Sequence, residues 1–216
     1  MPSLLESPGH PLSLADVAGI SRQLATDIGR LTLKTEGFTV SDYLSLDGPY
    51  LVEYQNGSLQ VLPMPTALHQ ALAFVFANLL VAWSKFDPLS RTKLAPFRVA
   101  LNDHEYREPD VCFMLGRNAA RRSDLFWRGA DLVVEIISPS NRSHDTETKR
   151  AEYAAAGVLE YWLIDPDEKR VSVLALRGGV YGAIGEFGFG AVAKSELLGG
   201  FAVDVADLFA QAEAQA

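Results

Sequence analysis

The sequence predicts an α/β fold of the α+β kind, a mixed β-sheet flanked by helices, and three observations carry that reading. Residues 132–137, Leu-Val-Val-Glu-Ile-Ile, form a nearly unbroken β-branched run, the pattern of a strand covered on both faces. A helical pattern at 145–156 and a second strand pattern at 160–164 follow it, giving a strand–helix–strand unit. Hairpin signals lie on either side of that unit, which brings antiparallel strands into the same sheet.

Along the chain, each element has a local reason. Residues 1–12 hold three prolines and read as a loose tail. Ser13 and Asp16 open a helix with Leu14, Val17, Leu24, Ile28 and Leu31 on one face. Residues 1–36 are therefore an N-terminal tail and helical extension, packed on the main domain or on a partner subunit, and 37–216 are the main domain. Thr39 and Asp42 repeat the capping pattern ahead of a short helix at 40–46. Runs at 50–54 and 58–62 flank Asn56-Gly57, a pair that accepts the positive φ angles of a tight hairpin turn. Pro63 and Pro65 stop the sheet, and Thr66 caps a helix over 67–86 that is apolar on most sides and so predicted to be well buried.

Strands follow at 98–101 and 110–115, then an arginine-bearing loop or short helix at 116–130. After the central run, Ser138-Pro139-Ser140 breaks the strand, and Gly157 is placed to end the helix at 145–156. Strands at 160–164 and 171–176 are joined by the turn Asp165-Pro166-Asp167. The glycine-rich stretch 178–190 reads as hairpin connections; it lacks the Gly-Lys-Ser/Thr ending of a phosphate loop. A terminal helix spans 204–214.

Composition narrows the class. Nineteen Lys and Arg against 27 Asp and Glu give a net charge of −8, which argues against a simple basic nucleic-acid binder. The charge is uneven, however: residues 91–150 carry 11 basic and 9 acidic side chains. A nucleic-acid substrate is therefore not excluded, but its binding is expected to be weak, salt-sensitive or dependent on an accessory. The single cysteine, Cys112, excludes an internal disulfide and a multi-cysteine zinc site and reads as a small buried hydrophobe. The first residues lack a signal-peptide pattern, and the most apolar stretch, 71–83, is short and interrupted by Asn78. The expectation is a soluble cytoplasmic protein without a membrane span.

Three segments can carry chemistry. Asp110 stands at the start of a strand. Glu135 stands in the middle of the most apolar strand, where a lone carboxylate costs several kcal/mol unless a cation or hydrogen-bond donors compensate it. Asp145, Lys149 and Tyr153, spaced by four, line one helix face. Two carboxylates on neighbouring strands offer the hard oxygen ligands that suit Mg²⁺ or Mn²⁺. The residues alone also fit a plainer arrangement, in which Glu135 pairs with Lys149 and Asp110 caps its strand.

The ordered string Arg107-Glu-Pro-Asp110, Leu132-Val-Val-Glu135-Ile-Ile-Ser-Pro-Ser140, Asp145-x3-Lys149-Arg150-x2-Tyr153 and Gly157-Val-x-Glu160-Tyr161-Trp162-Leu-Ile-Asp165-Pro166 resembles the Uma-type family of restriction-endonuclease-like proteins. That family belongs to the PD-(D/E)XK nuclease superfamily, and the similarity spans roughly residues 37–209. The resemblance implies a restriction-endonuclease-like core and a catalytic set of Asp110, Glu135 and Lys149. The superfamily's lysine, expected two residues after the second acid, is Ile137 here; the resemblance moves that role to Lys149 on the following helix. It further implies Mg²⁺, with Mn²⁺ as the alternative, on Asp110, Glu135 and the Ile136 carbonyl. Glu53, His69 and Gln70 are expected in support.

Arg117, Arg121, Arg122, Arg142 and Arg150 are the expected contacts to nucleic acid, DNA ahead of RNA. A homodimer is expected from the apolar surfaces of the N-terminal helix and the 67–86 helix. The alternative is a catalytically inactive relative that keeps the fold as a nucleic-acid or protein binding module. A paired-carboxylate glycosidase has little support, since no stretch joins such a pair to exposed aromatics.

Overall fold

The apolar run at 132–136 becomes the strand on which the two main core layers are built. The computed structural model describes residues 37–46, 50–138 and 142–216. The helix expected at 13–31 lies outside the described residues. In chain order the elements are α1 (Val40–Leu44), β1 (Val52–Gln55), β2 (Ser58–Val61), α2 (Ala67–Trp83), β3 (Arg91–Leu94), β4 (Arg98–Asn102), β5 (Glu105–Arg107), β6 (Val111–Met114), β7 (Phe126–Arg128) and β8 (Leu132–Ile136). They continue with α3 (Lys149–Ala155), β9 (Glu160–Asp165), β10 (Arg170–Arg177), β11 (Val180–Phe187), β12 (Val192–Lys194), β13 (Ala202–Asp204) and α4 (Val205–Glu213).

Six strands form the main sheet in the order β11-β10-β9-β8-β6-β3, and five form a second sheet, β2-β1-β5-β4-β7. β8 and β9 run parallel, as the intervening helix α3 requires, while β6 pairs with β8 antiparallel. One face of the main sheet presents Phe113, Val134, Ile136 and Trp162 to Leu72, Phe76 and Leu80 of α2 and to Leu208 and Phe209 of α4. The Trp162 ring packs edge-on to Phe76 and Phe201 at 5.3 and 5.7 Å. The other face presents Cys112, Val133, Tyr161 and Leu163 to Tyr153 of α3 and to Val99 and Trp127 of the second sheet. Alternation along β6 and β8 sorts these two sets. A smaller cluster of Tyr43, Tyr54, Leu59 and Tyr106 ties α1 to the second sheet.

The caps and turns follow the sequence. Thr39 and Asp42 form a reciprocal capping box, and the Thr66 hydroxyl accepts from the His69 amide. Asn56 and Gly57 both have positive φ, 49° and 86°, as a two-residue turn between β1 and β2 demands. Cys112 is buried, and burial pushes its thiol pKa up, which leaves it inert.

Several expectations are corrected. Residues 180–187 form a full strand, β11, and only Gly178-Gly179 make the turn. The stretch 116–130 contains a strand, β7, parallel to β4. The helix expected over 145–156 is two pieces: one turn of π-helix at His144–Thr148, then α3. α2 is less buried than its composition suggests, with Phe74 and Val81 half or more exposed. Among the described residues, 67–86 form one helix long and apolar enough to cross a membrane by length and composition. Leu72, Phe76 and Leu80 are nonetheless fully buried against the sheet, so this helix is part of the core.

Candidate active site

The acids come together through strand register. Val111 pairs with Val134, so Asp110, one residue earlier, lies across from Glu135. Asp110 Oδ2 accepts the Ile136 amide at 2.7 Å, and its Oδ1 is 2.8 Å from His69 Nε2 at the start of α2. Glu135 is buried, and Tyr153 OH donates to its Oε1 at 2.6 Å. Lys149 Nζ lies 3.0 Å from Glu135 Oε2, 3.3 Å from Asp145 Oδ1 and 3.7 Å from Glu53 Oε1. The π turn sets the lysine: the Lys149 amide bonds the His144 carbonyl five residues back, and Asp145, Lys149 and Tyr153 all face inward. A cleft of about 420 Å³ opens over the cluster, lined by His69, Glu108, Asp110, Glu135, Ile136 and Lys149.

Charge at this point is unbalanced. Glu53, Asp110, Glu135 and Asp145 surround one lysine, and Arg107 lies 3.7 Å from Glu53 Oε2. Burial pushes the Glu135 carboxyl well above the usual range, and Asp110 and Asp145 add to it against the pull of Lys149. Burial likewise raises Asp145. Desolvation pulls Lys149 down, but Glu135, Glu53, Asp145 and Asp110 outweigh it and hold the ammonium well above its ordinary value. Lys149 is therefore charged, and the cluster holds more carboxylates than cations. It favours an added proton or an added cation.

Arg107 secures the frame. Across β1 and β5 it lies opposite Glu53, and it clamps Glu152 of α3 with two hydrogen bonds at 2.9 and 2.6 Å. Burial raises Glu152, yet the Arg107 bonds keep it below its usual range. Glu108 is buried beside them, accepting the Val52 amide at 2.9 Å, and burial pushes its carboxyl up to about 7.

The chain matches the model of the Uma2 family, described as a putative restriction endonuclease, over residues 40–206. It belongs to the Uma2 family. The fold has a solved counterpart in the crystal structure of "a putative nuclease belonging to DUF820" from Anabaena variabilis ATCC 29413. That chain is 21% identical with a TM-score of 0.67, and the likeness covers 81% of this chain and 99% of the other. No curated protein matches.

Within this Uma2 fold the structure brings Asp110, Glu135, Lys149, Ile136 and His69 to one cleft, with Glu53 beneath it, 3.7 Å from Lys149 Nζ. Glu53 is fully buried on its hairpin strand, where sequence reasoning could only weigh a solvated charge against a site residue. Gln70 lies exposed on an adjoining groove. The arginines do not gather at the acids. Arg117, Arg121 and Arg122 follow the far end of β6, which is about 13 Å from Asp110 at the usual strand rise. Arg122 bonds the carbonyls of Leu89, Met114 and Leu115, and Arg121 bonds that of Arg128, so these two staple the loop. Arg150 reaches back to the Tyr181 carbonyl. Arg142 pairs with Asp165 near the cleft rim and keeps 41% of its side chain exposed.

Sequence reasoning left Asp145, Tyr153, Arg107 and Glu152 out of the site. The spacing of four was the available signal for the first two, and a charged residue three before Asp110 the only one for Arg107. Ser140 lies outside the described residues.

The donor chemistry fits a hard divalent cation. Mg²⁺ takes one or two carboxylates and keeps its waters, and Asp110 and Glu135 supply oxygens in a cluster with surplus negative charge. Glu53 Oε2 is buried without a hydrogen-bond donor. Among the described residues no group of three or more His, Cys, Asp or Glu side chains forms a ready-made cage. A cation would therefore rest on the two acids, a backbone carbonyl and water.

Proposed function

We propose that the protein is a metal-dependent nuclease, a hydrolase of phosphodiester bonds in nucleic acid, DNA above all, acting at Asp110, Glu135 and Lys149. One observation carries the reading: carboxylates from β1, β8 and the π turn converge on a single buried ammonium, with Asp110 across from Glu135. Asp110 and Glu135 would hold Mg²⁺ or Mn²⁺, joined by the Ile136 carbonyl. When bound, the ion supplies a Lewis acid and a water of lowered pKa. Lys149 carries a fixed positive charge at the cleft floor, placed to offset charge that develops on a phosphoryl group. Tyr153 orients Glu135, and His69 and the Ile136 amide orient Asp110. Arg142 at the rim is the best placed of the five arginines to meet a phosphate.

The test is cleavage of plasmid and single-stranded DNA with Mg²⁺ or Mn²⁺ by the wild type, Glu135→Gln and Lys149→Met. Cleavage by the wild type alone supports the reading; equal cleavage by all three would assign the activity to a contaminant. A homodimer is part of the proposal, through the end of α2 and the turn after it, where Val81 and Phe86 are exposed. Sedimentation velocity checks it.

A second reading, a non-catalytic binding module, has its own observation. All four oxygens of Asp110 and Glu135 are already engaged, by His69, the Ile136 amide, Tyr153 and Lys149. Calorimetry with Mn²⁺ separates the two. Micromolar binding that disappears in Glu135→Gln favours the nuclease, and no heat in either protein favours the module.

A further inference from the structure

Beside the acid cleft runs a second groove, of about 650 Å³, whose walls include Met64, Phe74, Leu94 and Pro96. The two cavities share Leu51, Met64, Pro65, His69 and Asp110, so the His69–Asp110 pair is the polar part of the wall between them. The groove is apolar but not closed. Phe74 is 50% exposed and Met64 71% exposed, so one aromatic face and one thioether are presented to whatever enters. Its polar equipment is small: besides His69 and Asp110 of the shared wall, the Gln70 and Gln215 amides among its described lining residues. Among the described residues no Lys or Arg lines it, and Lys149 is the one Lys or Arg lining the acid cleft, at its buried floor.

From this we infer that the groove receives an unpaired nucleobase of the strand whose phosphate lies over Asp110 and Lys149, so that the substrate is single-stranded or locally unpaired. The inference rests on the nuclease reading of the acid cluster. Duplex DNA is held chiefly through phosphates by basic side chains, and both cavities offer an approaching duplex almost none. An unpaired base needs the opposite: an apolar or aromatic surface to stack on and one or two donor–acceptor groups for its edge. Phe74 provides the first, and the Gln70 amide, a donor and an acceptor side by side, provides the second. The shared His69–Asp110 wall makes the placement continuous, with a base on one side and its neighbouring phosphate on the other. A net charge of −8 is tolerable for such a substrate, because stacking replaces much of the missing phosphate attraction.

The test uses the full chain in Mg²⁺-free buffer with three fluorescein-labelled 12-mer probes: a single strand, the same sequence as a blunt duplex, and the single strand with its central bases removed. Anisotropy is expected to give at least about tenfold tighter binding of the intact single strand than of the other two. Phe74→Ala, an exposed position whose melting temperature serves as the folding control, is expected to weaken single-strand binding about five- to a hundredfold and leave duplex binding unchanged. Equal affinity for all three probes, or indifference to Phe74→Ala, overturns the inference. So does a Phe74→Ala protein whose oligomeric state changes in sedimentation, which would make the groove a contact between copies of the chain. Cleavage is scored separately. Single-strand preference without metal-dependent cleavage upholds the base groove and defeats the nuclease reading; cleavage of duplex without such preference does the reverse.

Discussion

Replacing Lys149 with methionine keeps most of the length of the side chain and removes its charge. The cost follows from the surroundings. Three buried carboxylates, on Glu135, Asp145 and Glu53, lie within 3.0 to 3.7 Å of the ammonium and would lose it together. Breaking a buried ion pair from one side costs about 3–5 kcal/mol, because the remaining charge stays desolvated. A domain of this size loses about 2–4 °C of melting temperature per kcal/mol, so Lys149→Met should melt roughly 6–20 °C below the wild type at pH 7 without metal. Glu135→Gln is the informative companion. It removes the carboxylate that burial already disfavours and leaves Lys149 paired with Asp145 and Glu53, so its loss should be well under half as large. Lowering the pH should shrink the Lys149→Met deficit, since protons then take the place of the missing cation. Calorimetric melting of the three proteins at two pH values measures all of this. If Lys149→Met melts with the wild type in metal-free buffer, the account of the cluster as an excess of buried negative charge is wrong.

Three further outcomes follow from other parts of the fold. Burial holds the Glu108 carboxyl at about 7 against an ordinary 4.5, so the folded state keeps a proton that the unfolded chain releases across that interval. This group's contribution to stability therefore falls as pH rises from about 4.5 to 7, by about 3 kcal/mol. Urea titrations should show a steeper decline for the wild type than for Glu108→Gln, and parallel curves would contradict the assignment. The Glu160 carboxylate gathers the Trp162 indole N–H, the Ser195 hydroxyl and the amides of Glu196 and Leu197. Glu160→Ala should cost about 3–5 kcal/mol by stranding those donors, with Glu160→Gln milder, as read from denaturation midpoints. Phe76→Ala empties the space between Trp162 and Phe201 and should cost about 3–5 kcal/mol, with a shift in tryptophan emission; an unchanged spectrum and midpoint would count against that packing.

How far the sequence could be read depends on which interactions made each element. Residues 132–136 needed no partner to be recognised, because an apolar β-branched run with one acid is already the record of a buried strand and a compensated charge. That Asp145, Lys149 and Tyr153 share one helix face was legible from spacing, but not that Asp145 and Tyr153 meet the buried acids and the lysine. Glu53, and the transfer of the lysine role to Lys149, needed the family resemblance. β5, β7, β12 and β13 were not legible: three residues are too few to show alternation, and their pairing is supplied by neighbouring strands. The π turn is equally silent, since its residues keep a helical pattern and only the backbone bonding differs. The arginines at 117, 121 and 122 show the limit most plainly. Their clustering in sequence is real, but the direction of β6 carries them to the far end of the sheet from Asp110.

The residues gathered around Lys149 come from widely separated stretches of chain, Glu53 in the first hairpin and the lysine itself almost a hundred residues later. Neither half of the domain can assemble the cluster by itself. During synthesis the chain must be complete through α3 before Arg107 can clamp Glu152 and the four acids can meet their cation. Whatever chemistry the cleft performs is therefore withheld from partly made chains, and loss of the α3 contact alone would return the protein to that inactive condition.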